Sequence, residues 1–203
     1  MSYFYSLVLF AVACSVTPGP NNIMVMTSGV NFGFARSLPV LLGICIGFGL
    51  MLFAVGLGFG QVFERFPELH QALKVVGVVY LLYLAWLISG ATKISESESA
   101  SKPITFMKGA LFQWVNPKAW IVATGAVSTF TNTNSNYETQ IIVLVTTFLV
   151  VSFPCVGIWL GFGTMLKKYL DNDSHRKWFN LSMASVLVLS VVPVIWQLVL
   201  EIA

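Results

Sequence analysis

The sequence predicts an all-α polytopic membrane protein. It has about six transmembrane helices, arranged as two inverted three-helix repeats, with spans one and four broken at prolines. Three observations carry this. Of 203 residues, 57% are hydrophobic and only 9% charged, whereas a soluble domain carries roughly 25% charged residues to coat its surface. The apolar residues are also continuous: no Lys, Arg, Asp or Glu occurs from Met1 to Ala35 or from Ser37 to Phe63. A bilayer-spanning helix needs about 20 mostly apolar residues, and soluble core helices do not follow one another in runs this long. Finally, the first and fourth apolar segments each carry proline flanked by polar groups near the middle.

The segments follow in order. The first runs from Phe4 to Val30 and the second from Leu38 to Gly60. The third, Ala72 to Ala91, has Lys74 near its end, where the side chain can snorkel. The fourth is Phe106 to Phe130, the fifth Gln140 to Leu166, and the sixth Trp178 to Leu200, interrupted by Pro193. The start could be taken for a signal peptide. It lacks a basic n-region, the first basic residue being Arg36, so it reads as a retained span. The Ser/Glu/Lys-rich stretch 92–105 reads as a solvated linker. A second polar stretch, Asn132 to Asn136, separates spans four and five. Residues 1–203 thus form one transmembrane domain, with half one at 1–91 and half two at 106–203.

Orientation follows from the basic residues. The net charge of +3 is small and gives no footing for nucleic acid. The segments after spans one, three and five hold eight bases: Arg36, Lys93, Lys102, Lys108, Lys167, Lys168, Arg176 and Lys177. The opposite side holds two, Arg65 and Lys74. Positive loops stay in the cytoplasm, so both termini are expected outside it.

The first break is Thr17-Pro18-Gly19-Pro20-Asn21-Asn22. Its two prolines remove two backbone donors and clash with preceding carbonyls. In lipid, backbone groups freed in this way need protein or water as partners. The segment is therefore expected to face the protein interior or an aqueous cavity, with Asn21 and Asn22 offering polar side chains there.

The second break is Gln113-Trp114-Val115-Asn116-Pro117-Lys118. Lys118 is the one charged residue at the centre of a span, which costs about 2.5–3.5 kcal/mol on insertion scales. No Asp or Glu lies in any span, so its partner must be a backbone carbonyl, a polar side chain, water, a lipid phosphate or an anionic substrate group. Either break alone could be a structural kink. Their pairing, at the first span of each half, is the better pointer to a transport site between discontinuous helices. Halves with an odd number of spans must insert in opposite senses. Gly43 to Gly49 in span two also echoes Gly157 to Gly163 in span five, which reads as packing faces or as a trace of duplication.

Other chemistries find little support. There is no P-loop for nucleotide hydrolysis. His70 and His175 fall in loops at the membrane surface, and Cys14, Cys45 and Cys155 read as small buried hydrophobes without a ligand or redox pattern. A metal exporter usually needs His and carboxylate ligands that the spans lack.

The Thr-Pro-Gly-Pro-Asn motif at Thr17 to Asn21, the Asn-Pro-Lys motif at Asn116 to Lys118, six spans and about 200 residues resemble the LysE/RhtB superfamily of amino-acid exporters. Within it, the chain is similar to the branch exporting homoserine, threonine, leucine and cysteine-related amino acids. The runs Lys102 to Phe106 and Phe112 to Asn116 are reminiscent of the cysteine and O-acetylserine exporters. The resemblance implies a secondary transporter in the bacterial inner membrane, without cofactor and possible as a homodimer, moving small amino acids outward. It implies a substrate site at Thr17, Pro18, Gly19, Pro20, Asn21, Asn22, Gln113, Asn116, Pro117 and Lys118. The superfamily also resembles membrane thiol-redox electron carriers with cysteines beside these breaks. The lack of cysteine in span four argues against that activity.

Overall fold

A computed structural model describes residues 2–59, 65–90, 103–132, 136–170 and 172–202. Eight α-helices account for nearly all of these residues, and no strand occurs among them. They are α1 (Ser2–Val16), α2 (Pro20–Phe32), α3 (Phe34–Ala54), α4 (Pro67–Gly90), α5 (Phe106–Val115), α6 (Pro117–Phe130), α7 (Tyr137–Leu166) and α8 (Asp173–Ile202); a π turn, Val55–Phe59, extends α3. By length and composition three helices can cross a membrane, within Phe34–Gly58, Tyr137–Leu166 and Asp173–Leu200. The pair α1 and α2, bent by 55°, makes a fourth if taken as one span.

Proline position decides which helices stop. Pro20 and Pro117 open α2 and α6 in the first turn, where the missing N–H has no partner to lose and the fixed φ suits the helix. Pro39, Pro154 and Pro193 lie inside α3, α7 and α8, which continue through them. Between α2 and α3 a single residue turns the chain. Gly33 sits there at φ 80°, a left-handed conformation open to glycine, and its N–H donates to the Gly29 carbonyl at 2.9 Å.

Several sequence expectations shift here. All the span helices but α5 begin a few residues earlier than the apolar runs. Lys108 lies in α5, while His175, Arg176 and Lys177 lie in the first turns of α8, not in loops. His70 likewise lies within α4. Arg176 is only 3% exposed, and its Nε donates to the Leu170 carbonyl at 3.2 Å. Most of the linker, with Lys93 and Lys102, lies outside the described residues.

Packing is by small residues, the usual device where lipid supplies no hydrophobic drive between helices. A Cβ on Gly43 would stand 2.1 Å from the Phe106 carbonyl oxygen, and one on Gly47 would stand 2.5 Å from Ala110 Cα, so α3 and α5 touch backbone to backbone. Gly163 on α7 meets the Met26 carbonyl of α2 in the same way. The glycine echo is therefore unequal. Gly43, Gly47 and Gly49 are packing positions, whereas a side chain on Gly157 or Gly161 would meet nothing within 4 Å.

Two buried apolar clusters result. One takes Val40 to Cys45 of α3 and Val156 and Leu160 of α7, with residues of α2, α4, α5 and α8. The other takes Phe48 to Val55 of α3 and Leu144 and Phe148 of α7, with residues of α1 and α6. The two clusters divide α3 and α7 at their middles, which is the level of the chain breaks.

Candidate functional site

The chain leaves the α-helix after Val16, and the carbonyls at the end of α1 lose their usual partners. The carbonyls of Ala13, Ser15, Val16 and Thr17 have these donors. The Thr17 N–H donates to the Ala13 carbonyl at 3.1 Å, and the Thr17 hydroxyl donates to the same oxygen. Asn22 Nδ2 donates to the Ser15 carbonyl at 2.9 Å and to the Thr17 carbonyl at 3.0 Å. Trp159 Nε1, from α7, donates to the Val16 carbonyl at 3.1 Å. Lys118 Nζ, from α6, donates to the Thr17 carbonyl at 2.8 Å. Of the partners open to Lys118 in the sequence, the structure uses a backbone carbonyl. A cation there also faces the negative end of the α1 dipole.

Gly19 makes this approach possible. A Cβ at that position would stand 3.0 Å from Lys118 Cδ and 3.2 Å from Nζ. Gly19 precedes α2 without a side-chain cap, whereas Asn116 caps α6, its Oδ1 accepting from the Lys118 backbone N–H at 3.1 Å.

A second polar cluster ties the two breaks together. Asn21 Nδ2 donates to Gln113 Oε1 at 2.9 Å, and Gln113 Nε2 donates back to Asn21 Oδ1 at 3.0 Å. Asn116 Nδ2 donates to the same Asn21 oxygen at 3.3 Å, and Gln113 Nε2 also reaches the Gly109 carbonyl at 3.0 Å. Gln113 and Asn116 are buried. This amide cluster is a brace between α2 and the α5–α6 junction, since its groups are spent on one another.

Beside the breaks lies a cavity of about 60 Å³, room for several water molecules. Of the ten residues anticipated from the sequence, Gly19, Asn21, Asn22, Asn116 and Lys118 line it. Pro20, Gln113 and Pro117 stand behind the wall as helix starts and brace. Thr17 and Pro18 are exposed, so the expectation of an interior segment holds only from Gly19 onward. Asn22 is 3% exposed, and its Oδ1 accepts no hydrogen bond among the described residues. Lys118 makes no side-chain hydrogen bond among them beyond that to Thr17. The cavity thus offers ammonium protons from Lys118 and a carbonyl-type acceptor from Asn22.

Another part of the wall escaped the sequence reading. It is built by Cys45 and Phe48 of α3 and by Phe148, Ser152 and Val156 of α7. The signal available for Ser152 was its place two residues before Pro154 in a span. Nothing in the sequence pairs Trp159 with the end of α1. Cys14 and Cys45 also line the cavity, and all three cysteines are free thiols.

Curated relatives include proteins named cysteine/O-acetylserine efflux protein from Escherichia coli K12, Shigella flexneri serotype 5b and Shigella sonnei. Each is 34% identical to this chain over 122 residues, covering 60% of this chain and 62% of the relative. No solved structure matches. The LysE type translocator family matches residues 12–195. That match runs through both breaks and the cavity between them, and the chain belongs to the LysE type translocator family.

Proposed function

We propose that this chain is a secondary exporter of small amino acids, of the cysteine and O-acetylserine kind, in the bacterial inner membrane. The observation that carries the reading is the Lys118 ammonium, held to the Thr17 carbonyl in a cavity that Asn22 also lines, beside two chain breaks. In this reading the substrate carboxylate binds the remaining protons of Lys118 through charge-assisted hydrogen bonds. The substrate ammonium donates to Asn22 Oδ1. The names of the relatives supply the substrate class and the outward direction.

The reading includes six spans in two inverted halves. The contact scheme supports it at the level of whole spans, whose main pairings are kept when the halves are exchanged. The second span of half one, α3, packs on α5 of half two; the second span of half two, α7, packs on α1 and α2 of half one; α4 and α8 pack on each other. Export then proceeds by rocking of the halves about the central site. Both termini lie in the periplasm, so a cytoplasm-only fluorescent reporter on the C-terminus should stay dark. A bright fusion would reverse the topology.

The direct test is Lys118→Ala, followed by efflux of cysteine and O-acetylserine from cells expressing equal amounts of protein. Loss of a charge-assisted hydrogen bond of about 1.5–3 kcal/mol lowers transport roughly 10- to 150-fold. Export at the wild-type rate would remove Lys118 from the site.

A further inference from the structure

Ser152 is a buried residue whose hydroxyl opens on the cavity. It is 5% exposed and lines the cavity, yet among the described residues it neither donates nor accepts a side-chain hydrogen bond. A serine or threonine inside a helix ordinarily turns back to the carbonyl one turn earlier. On the same helix, Thr147 donates to the Val143 carbonyl at 2.7 Å and Thr164 to the Leu160 carbonyl at 2.9 Å. The Ser152 hydroxyl is left free to bond what enters the cavity, and a hydrogen bond made there contributes about 0.5–1.5 kcal/mol.

Its surroundings define what that ligand presents. Phe148, Ser152 and Val156 stand one turn apart on α7 and form a single stripe along the cavity. Facing them on α3 are Cys45 and Phe48. Lys118 and Asn22 line the same cavity, on α6 and α2. A substrate held by its carboxylate and ammonium at those two residues has its side chain within reach of the part of the cavity lined by α3 and α7. The wall there is apolar but for the Ser152 hydroxyl and the Cys45 thiol, and it carries no charge to receive a cationic or anionic side chain.

We propose that Ser152 is a specificity-determining residue, whose hydroxyl hydrogen-bonds the heteroatom of a short side chain bearing a hydroxyl, thiol or ester. Phe48, Phe148 and Val156 limit that side chain's length. This rests on the exporter reading and names the part of the site that chooses among amino acids.

The experiment uses inside-out vesicles from cells expressing the full chain, in which export is read as uptake. Cysteine is compared with 2-aminobutyrate, which replaces the thiol by a methyl at nearly the same size. Ser152→Ala should lower kcat/KM for cysteine about fivefold to tenfold, mainly through KM, as expected for one lost hydrogen bond. Uptake of 2-aminobutyrate should stay within about twofold, because it never used that bond. Ser152→Thr keeps a hydroxyl and should keep the wild-type ratio of the two substrates. A structural role for Ser152 would lower both substrates together, and an unchanged cysteine to 2-aminobutyrate ratio overturns the proposal. If wild-type vesicles take up neither compound and no O-acetylserine, the exporter reading fails and this inference with it.

Discussion

The helices that follow the two breaks start alike and end in different surroundings. Both open on proline, α2 at Pro20 and α6 at Pro117. From Asn22 to Val30 every residue of α2 is buried. In α6 burial is confined to one stripe, Ala119, Ala123, Ala126 and Phe130. The neighbours explain this. A Cβ on Gly29 would stand 2.7 Å from the Leu160 carbonyl oxygen, so α2 lies hard against α7. A Cβ on Gly125 of α6 would meet nothing within 4 Å. The cavity follows the same division, running beside Lys118, Ala119 and Val122 of α6 but reaching only Asn21 and Asn22 of α2. One side of the site is sealed by α2 and the other is loosely covered by α6. In the exporter reading proposed above, this arrangement corresponds to one state of an alternating-access cycle, closed on the α2 side.

The seal itself gives the largest effect. Gly163→Val would put a side chain where the Met26 carbonyl oxygen lies 2.1 Å from the Cβ position, and backbone cannot yield as a flexible side chain does. Such overpacking costs roughly 1–3 kcal/mol or more. The variant should lose folded yield and thermal stability in detergent, measured by size-exclusion of a fluorescent fusion. Next in size is a reversible lock. Ser28 Oγ donates to Ser37 Oγ at 2.8 Å, joining α2 to α3 within the sealed side. The double variant Ser28→Cys, Ser37→Cys should form a disulfide on oxidation and lose roughly 90% or more of its transport, recovering on reduction, since the tether removes the opening that a two-state cycle requires. Full transport in the oxidised, cross-linked protein would show that α2 need not leave α3.

How much of this was legible beforehand divides along the same line. The helical class, both proline-bearing segments and Lys118 follow from composition and from proline's missing donor, which are local properties. The partner of Lys118 was limited to a short set by the absence of carboxylates, but the choice of the Thr17 carbonyl depends on Gly19 leaving room 3.0 Å from the lysine chain. The roles of Asn21 and Gln113 as a brace, and of Trp159 as a cap, come from pairings across the fold with no repeat in the sequence. The contrast between α2 and α6 was hidden as well. Both are apolar with small residues, Thr27-Ser28-Gly29 in one and Thr124-Gly125-Ala126 in the other, seven residues after their prolines. Only tertiary packing separates them. The buried Arg176 shows the same limit from the other direction, since charge alone assigned it to water.

The smallest effect tests whether α6 ever takes the place that α2 holds here. Gly125→Ala adds a methyl where the neighbours leave open space and relieves a helix of glycine, so it should raise stability by up to about 1 kcal/mol. Gly125→Leu should also fold, because nothing stands within 4 Å of its Cβ position. Its transport is the informative quantity. If α6 closes on a neighbouring helix in the opposite state as tightly as α2 closes on α7 in this one, a leucine obstructs that closure and efflux falls severalfold while thermal stability holds. If Gly125→Leu exports like the wild type, then α6 does not make a glycine-tight seal in any state of the cycle. The two helices would then be unequal by design, with α2 as the moving seal and α6 as a fixed wall carrying Lys118.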